Sequence, residues 1–183
     1  MQTMRKTGTK IFSWVLLLLL LAGLLTGCGT NDQENSADGQ RVLRYGSGDY
    51  TAINPALYEH GEINALLFAG LTAHNEKNEV VPGLAEDWSF DEKTCTYTFS
   101  LRDGLTFHDG EPLTSADVKF TLEAILDEQN GSEIVSNYTD IAEIRCPDAL
   151  TVEIRLTQPN AAFPDYMTIG ILPEHLLAGE DLA

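Results

Sequence analysis

Three stretches predict a mixed α/β fold. Thr96 to Leu101 alternates Tyr97, Phe99 and Leu101 with Thr96, Thr98 and Ser100, which is the two-residue period of a half-buried antiparallel strand. Thr151 to Leu156 repeats that period with Val152, Ile154 and Leu156 on one face. Between them, Thr114-Ser115-Ala116-Asp117 reads as a capping box, with the acid near the positive end of the helix dipole. The helix it opens carries Val118, Leu122, Ile125 and Leu126 on one face and is expected to run to about Asp127.

The other elements follow in chain order. Val42, Leu43 and Tyr45 read as a first strand ending at Gly46-Ser47-Gly48, followed by a loop through Asn54-Pro55. Glu62 to Leu71 spaces Ile63, Leu66, Leu67 and Leu71 as a helix, closed by Gly70 and the polar stretch His74 to Glu79. Val80-Val81-Pro82-Gly83-Leu84-Ala85 predicts a turn into a short helical segment ending at Trp88, with a packing role. Arg102-Asp103-Gly104 is a turn, Leu105 to Phe107 resumes the strand, and His108 to Pro112 turns again. Ile141 to Ile144 pairs with Thr151 to Leu156 as a hairpin through Cys146-Pro147-Asp148-Ala149. Asn160 to Asp165 and Ile171 to Leu177 finish with a short helix. Sheet edges are left open and the last dozen residues carry no closing cap, so the sequence reads as the front part of a longer protein.

Residues 1–27 have the form of a secretory leader. Arg5, Lys6 and Lys10 come without an acid, Ile11 to Leu25 are almost wholly apolar, and Leu25-Thr26-Gly27-Cys28 follows. The apolar run is shorter than the roughly 20 residues of a spanning helix. The Leu-Thr-Gly-Cys string looks like a bacterial lipobox, which makes Cys28 the acceptor of a diacylglyceryl group. Two acyl chains, at about 0.8 kcal/mol per buried methylene, anchor stably where one is marginal. Residues 28–40 hold one alanine and no larger apolar side chain past Cys28, so they are expected to form a flexible tether. Folding is expected from residue 41 to residue 183.

The chain has 183 residues, 11 Lys and Arg against 28 Asp and Glu, and a formal charge of −17. Loss of the leader takes three bases and no acid, so the mature chain is more acidic still. That balance argues against nucleic acid, whose binding rests on basic residues neutralising phosphate. It also suits a body held off anionic lipid by a tether. Of the three cysteines, Cys95 and Cys146 remain after lipidation. An extracytoplasmic location permits a bridge between them. Equally, Cys95 falls in phase with Tyr97, Phe99 and Leu101 as a small buried side chain. No CxxC, HExxH, paired-histidine or GxSxG pattern occurs, so neither a cofactor, a resident metal nor a catalytic role is expected.

Open α/β sheets bind ligands beyond the carboxyl ends of their strands, often where a loop leads into a helix. That rule singles out Ser47, Gly48, Tyr50 and Thr51, which offer backbone amides, hydroxyls and an aromatic face. His108 invites a metal reading, but it lies in the Asp109-Gly110 turn with no second ligand nearby in sequence, so its expected role is structural. Trp88 and Phe107 are expected to pack.

Tyr97 to Val118, with its Ser-Leu-Arg-Asp-Gly-Leu-Thr-Phe-His-Asp-Gly-Glu-Pro-Leu-Thr core, closely resembles the family 5 extracellular solute-binding proteins. Phe68-Ala69-Gly70-Leu71, Pro82 to Trp88 and Ile171 to Leu177 are similar to further segments of that family in the same order, with Glu174 where a lysine is common. The resemblance implies a two-lobed fold like the periplasmic binding proteins, of the class with an extra small subdomain, of which this chain holds part of the first lobe. The second lobe, the hinge and most ligand contacts would lie beyond Ala183. It also implies that Tyr58, Glu59 and His60 approach ligand.

The resemblance further implies a monomeric, lipid-anchored receptor on the extracytoplasmic face of the cell membrane. It would capture peptides or another small ligand for the permease and ATPase subunits of an ABC importer. Nickel, free or chelated, is the alternative cargo within the family, with Glu59 and His60 as donors. An adhesin or pheromone receptor would share the fold, and an envelope-anchored enzyme is the alternative of another class.

Overall fold

The computed structural model describes Leu43, Arg44, Gly46, residues 53–58 and residues 63–182. The chain divides into two compact units, Met1–Ser47 and Gly48–Ala183. In the first, Leu43, Arg44 and Gly46 are exposed and form no strand, with Leu43 75% exposed. This corrects the strand expected at Val42 to Tyr45, of which Val42 and Tyr45 lie outside the described residues. A strand needs a neighbour for its N–H and C=O groups, which an apolar alternation in sequence does not supply.

The second unit is built on a four-stranded antiparallel sheet in the order β3-β4-β6-β5, formed by β3 (Ala85–Asp91), β4 (Thr96–Leu101), β5 (Ile141–Asp148) and β6 (Thr151–Leu156). Phe99 pairs with Trp88 on one side and Val152 on the other, and Tyr97 pairs with Phe90 and Ile154. The alternation in β4 and β6 therefore puts Tyr97, Phe99, Leu101, Val152, Ile154 and Leu156 into one core. Over it lies α2 (Ser115–Leu126), which contributes Val118, Leu122 and Ile125. The expected cap is present: Thr114 Oγ1 accepts from Ala116 N, and Asp117 Oδ2 accepts from Thr114 N at 2.8 Å. Asp117 is buried and its second oxygen accepts from Glu174 N at 3.0 Å, so the cap also holds the start of α4 (Glu174–Leu177). The β5–β6 hairpin forms, but Cys146, Pro147 and Asp148, expected in its turn, belong to β5, with Asp148 pairing with Thr151, so the turn is only Ala149-Leu150.

Residues 63–91 depart from expectation. The helix expected at Glu62 to Leu71 is reduced to α1 (Asn64–Leu67), because Phe68 is extended (φ −126°, ψ 160°). Gly70 does not close a helix. It lies where a Cβ would come 2.5 Å from the backbone carbon of Thr168. From there the chain forms a hairpin of β1 (Thr72–His74) and β2 (Val80–Pro82), closed by the turn at Asn75, whose Oδ1 accepts from Lys77 N and Glu79 N. The helical segment expected up to Trp88 is strand β3, and half-buried Trp88 packs near Phe99 with ring centroids 6.3 Å apart. Sheet pairing with β4 overrides local propensity there. Leu105 to Phe107 is likewise irregular, with a single bridge between Thr106 and Pro112.

Cys95 and Cys146 are free thiols. Cys95 is not in the strand phase but in the left-handed turn before β4 (φ 53°), where its carbonyl accepts from Leu156 N. Cys146 lies in β5 near the other end of β6, its Sγ 3.2 Å from Ser115 O. At about 3.3 Å per residue, the length of β6 keeps the two far beyond the roughly 7 Å that a disulfide tolerates.

Candidate functional site

The Asn54-Pro55 loop folds back on itself as its residue types dictate. Asn54 Oδ1 accepts from Ala56 N, Tyr58 N donates to Asn54 O, and Pro55, Ala56 and Leu57 are buried. Ser132 Oγ donates to Ala56 O at 2.6 Å and Glu133 N donates to Leu57 O at 2.8 Å, which fixes this turn against the segment after α2. The backing on the other side is Gly170, where a Cβ would meet Phe68 Cβ at 2.3 Å and Pro55 Cγ at 3.3 Å.

These close approaches form the walls of an open groove of about 460 Å³, lined by Pro55, Tyr58, Asn64, Phe68, Asn137, Tyr138, Asp165, Tyr166 and Thr168 among others. Tyr166 belongs to α3 (Phe163–Tyr166). Tyr138 is buried and donates its hydroxyl to Tyr166 O at 2.7 Å, and burial pushes its ionisation well above the ordinary tyrosine value. The two rings stand 6.3 Å apart and tilted by 56°. Asp165 Oδ1 lies 2.8 Å from His74 Nε2, so the β1–β2 hairpin meets the groove at its rim. The groove joins apolar and aromatic walls to a few fixed polar groups, which is how small-molecule sites are made.

A second groove of about 490 Å³ is more apolar and is lined by Leu66, Leu67, Phe68, Leu84, Phe107, His108, Asp109, Leu113, Ile171, Pro173 and Leu176, with others. His108 is exposed at its edge, while the neighbouring Asp109 carries the ionic contact, its Oδ2 2.8 Å from His175 Nε2. Half-buried Phe107 packs against the His175 ring with centroids 5.5 Å apart. The hydrogen bond from His175 holds the Asp109 carboxyl below its ordinary 3.8, and the same bond holds His175 above its ordinary 6.5.

The His175 share of this contact is complete below pH 6.5 and is lost as pH rises through its raised value. The Asp109 share is complete above pH 3.8 and is lost as pH falls through its lowered value. An NMR titration of His175 is therefore expected to give a midpoint above 6.5 that falls back toward 6.5 in Asp109→Asn. A parent midpoint at or below 6.5 would contradict the contact.

Of the residues singled out in the sequence, Tyr58 lines the first groove. Cys28, Ser47, Gly48, Tyr50, Thr51, Glu59 and His60 lie outside the described residues. Sequence reasoning missed Asn137, Tyr138, Asp165, Tyr166 and Thr168, of which Asp165 ends the Asn160 to Asp165 stretch and the others lie between the expected elements. Two tyrosines within such stretches were the available signal. Among the described residues, no three His, Cys, Asp or Glu side chains gather as a metal site, and no helix is long and apolar enough to cross a membrane.

Residues 79–177, just over half of the chain, match the model of the bacterial extracellular solute-binding proteins, family 5. The chain is 37% identical over 113 residues to a Brucella ovis protein that bears the name of an ABC transporter peptide-binding protein, covering 61% of this chain and 21% of that one. It is 33% identical over 130 residues to protein XP55 of Streptomyces lividans, covering 70% and 24% respectively. Among solved structures, NikZ from Campylobacter jejuni in complex with Ni(L-His) superposes with a TM-score of 0.71 at 38% identity, covering 74% of this chain and 28% of that one.

The fold is thus part of an α/β periplasmic-binding-protein architecture. The chain belongs to the family 5 bacterial extracellular solute-binding proteins, and spans about a fifth to a quarter of the length of the curated relatives it matches.

Proposed function

We propose that this chain is part of a solute-binding receptor that captures peptides at the extracytoplasmic face of the membrane and passes them to the permease and ATPase of an ABC importer. The observation that carries the reading is the family match across residues 79–177, which takes in the sheet, α2 and the groove lining from Ile134 to Gly170. Binding alone is required of it, with no bond made or broken, and closure on ligand would be driven by contacts made only in the closed state. The Brucella ovis relative, by its name, supports peptide as the cargo.

Within the same proposal, residues 1–27 are the leader, Cys28 carries the diacylglyceryl anchor, and residues 28–40 are the tether of a monomeric receptor whose folded part begins at residue 41. Ser47, Gly48, Tyr50, Thr51, Tyr58, Glu59 and His60 are its ligand-facing residues on this chain. A second reading, nickel in chelated form, is favoured by the likeness to NikZ, whose structure holds Ni(L-His).

Thermal unfolding of the whole product of the reading frame that encodes this sequence separates the two. A rise in Tm with a mixed peptide library, and none with nickel and histidine, is the expected result. The opposite pattern would replace peptide by nickel, and no shift with either would remove both.

A further inference from the structure

We propose that the Tyr58 groove is a seat for a guanidinium or primary ammonium group, held by the Asp165 carboxylate against tyrosine faces. The proposal deepens the peptide reading above by naming the side-chain or terminal chemistry this part of the receptor would select.

Four observations converge on a cation. Asp165 Oδ1 is engaged by His74, while Oδ2 accepts no protein hydrogen bond among the described residues, and the side chain is 52% exposed. An ionised carboxylate of this kind has acceptor capacity to spare for an N–H donor. Among the described residues, the groove lining contains Tyr58, Tyr138 and Tyr166 but no Lys or Arg. Tyr138 is buried with its hydroxyl committed to the backbone, so its ring, tilted by 56° to that of Tyr166, backs the half-buried Tyr166, and Tyr166 and Tyr58 offer the ring surface. A cation against such rings is attracted by their quadrupoles, most strongly where water is partly excluded.

The walls are also braced by close contacts and hydrogen bonds. Gly170 stands against Phe68 and Pro55, and the Pro55 turn is bonded to Ser132 and Glu133, so the groove is formed without a ligand to organise it. Its volume of about 460 Å³ leaves room for one long side chain. The formal charge of −17 adds a field that draws cations toward the molecule and repels anionic competitors.

The test compares N-acetyl-arginine amide with N-acetyl-norleucine amide, which matches it in approximate length but lacks the guanidinium. The full chain is held in a neutral detergent and followed through the backbone NMR signals of Tyr166, Thr168 and Ile169. Saturable shifts with the arginine probe, weakened about tenfold by Asp165→Asn and absent with the norleucine probe, are expected. Asp165→Asn keeps the shape of the side chain and an acceptor for His74, and unmoved signals from β4 would show that the variant is folded. Tyr58→Leu is expected to weaken binding about threefold.

Equal shifts with the two probes, none with either, or a folded Asp165→Asn that binds like the parent would each overturn the seat. Peptide binding by the whole receptor that ignores Asp165→Asn would also overturn the seat while leaving the receptor reading in place. Arginine binding here, with no peptide bound by the whole receptor, would do the reverse.

Discussion

Replacement of Phe99 by alanine is expected to destabilise the second unit by about 3–5 kcal/mol, the usual cost of emptying a fully buried aromatic site. Phe99 is 0% exposed at the centre of β4, and its ring lies 6.3 Å from Trp88 and 6.1 Å from Tyr97. It is also paired across the sheet with both Trp88 and Val152, so the strands on either side fix the walls of the cavity and hinder collapse. A loss of this size is a large share of the roughly 5–15 kcal/mol by which domains are stable. Urea unfolding should show a lower midpoint at nearly unchanged slope. Phe99→Leu, which keeps most of the volume, should cost less than about 1.5 kcal/mol. A shift under about 1 kcal/mol for the alanine variant would mean that the core is not centred on β4.

Gly70→Ala is expected to cost about 1–3 kcal/mol or more, through overpacking rather than through loss of contacts. Its Cβ would stand 2.5 Å from Thr168 C and 2.6 Å from Met167 O, both backbone atoms that cannot rotate out of the way. On the other side Leu84 N donates to Gly70 O at 2.9 Å, and a Cβ on Gly83 would come 2.6 Å from that same oxygen. Three chain segments therefore cross at one point where only hydrogen fits. Because Thr168 and Gly170 belong to the wall of the Tyr58 groove, the substitution should loosen that wall as well as lower Tm. Hydrogen exchange at residues 166–170 would read the first effect and thermal unfolding the second. An alanine variant with parent Tm would show that residues 167 and 168 can give way.

Both results bear on how much of this molecule its sequence declares. Strands β4 and β6 and helix α2 follow from the residues alone, because a two-residue period, a helical stripe and a Thr-x-x-Asp cap are local patterns whose energetics are settled within one element. Tyr58 could be singled out, although only by likeness to a family and not by any periodicity around it. The segment from Phe68 to Asp91 misled for a physical reason. Leu66, Leu67 and Leu71 have helical spacing, yet a strand partner for β3 and the crossing at Gly70 stabilise an extended path more than the next helical turn would. Cys95 misled similarly, since its phase with Tyr97 was right in number while a left-handed turn placed it outside the strand.

By itself, then, the sequence determined the acidic character of the protein, its mixed elements, the capped helix and, through the Tyr97 to Val118 segment, its family. Tertiary structure alone decided that Tyr58, Tyr138, Asp165 and Tyr166 share one groove and that Cys95 and Cys146 lie apart. Those relations join residues roughly a hundred positions apart or span the length of a strand. They are set by backbone crossings at glycine and by sheet register, neither of which leaves a period in the chain.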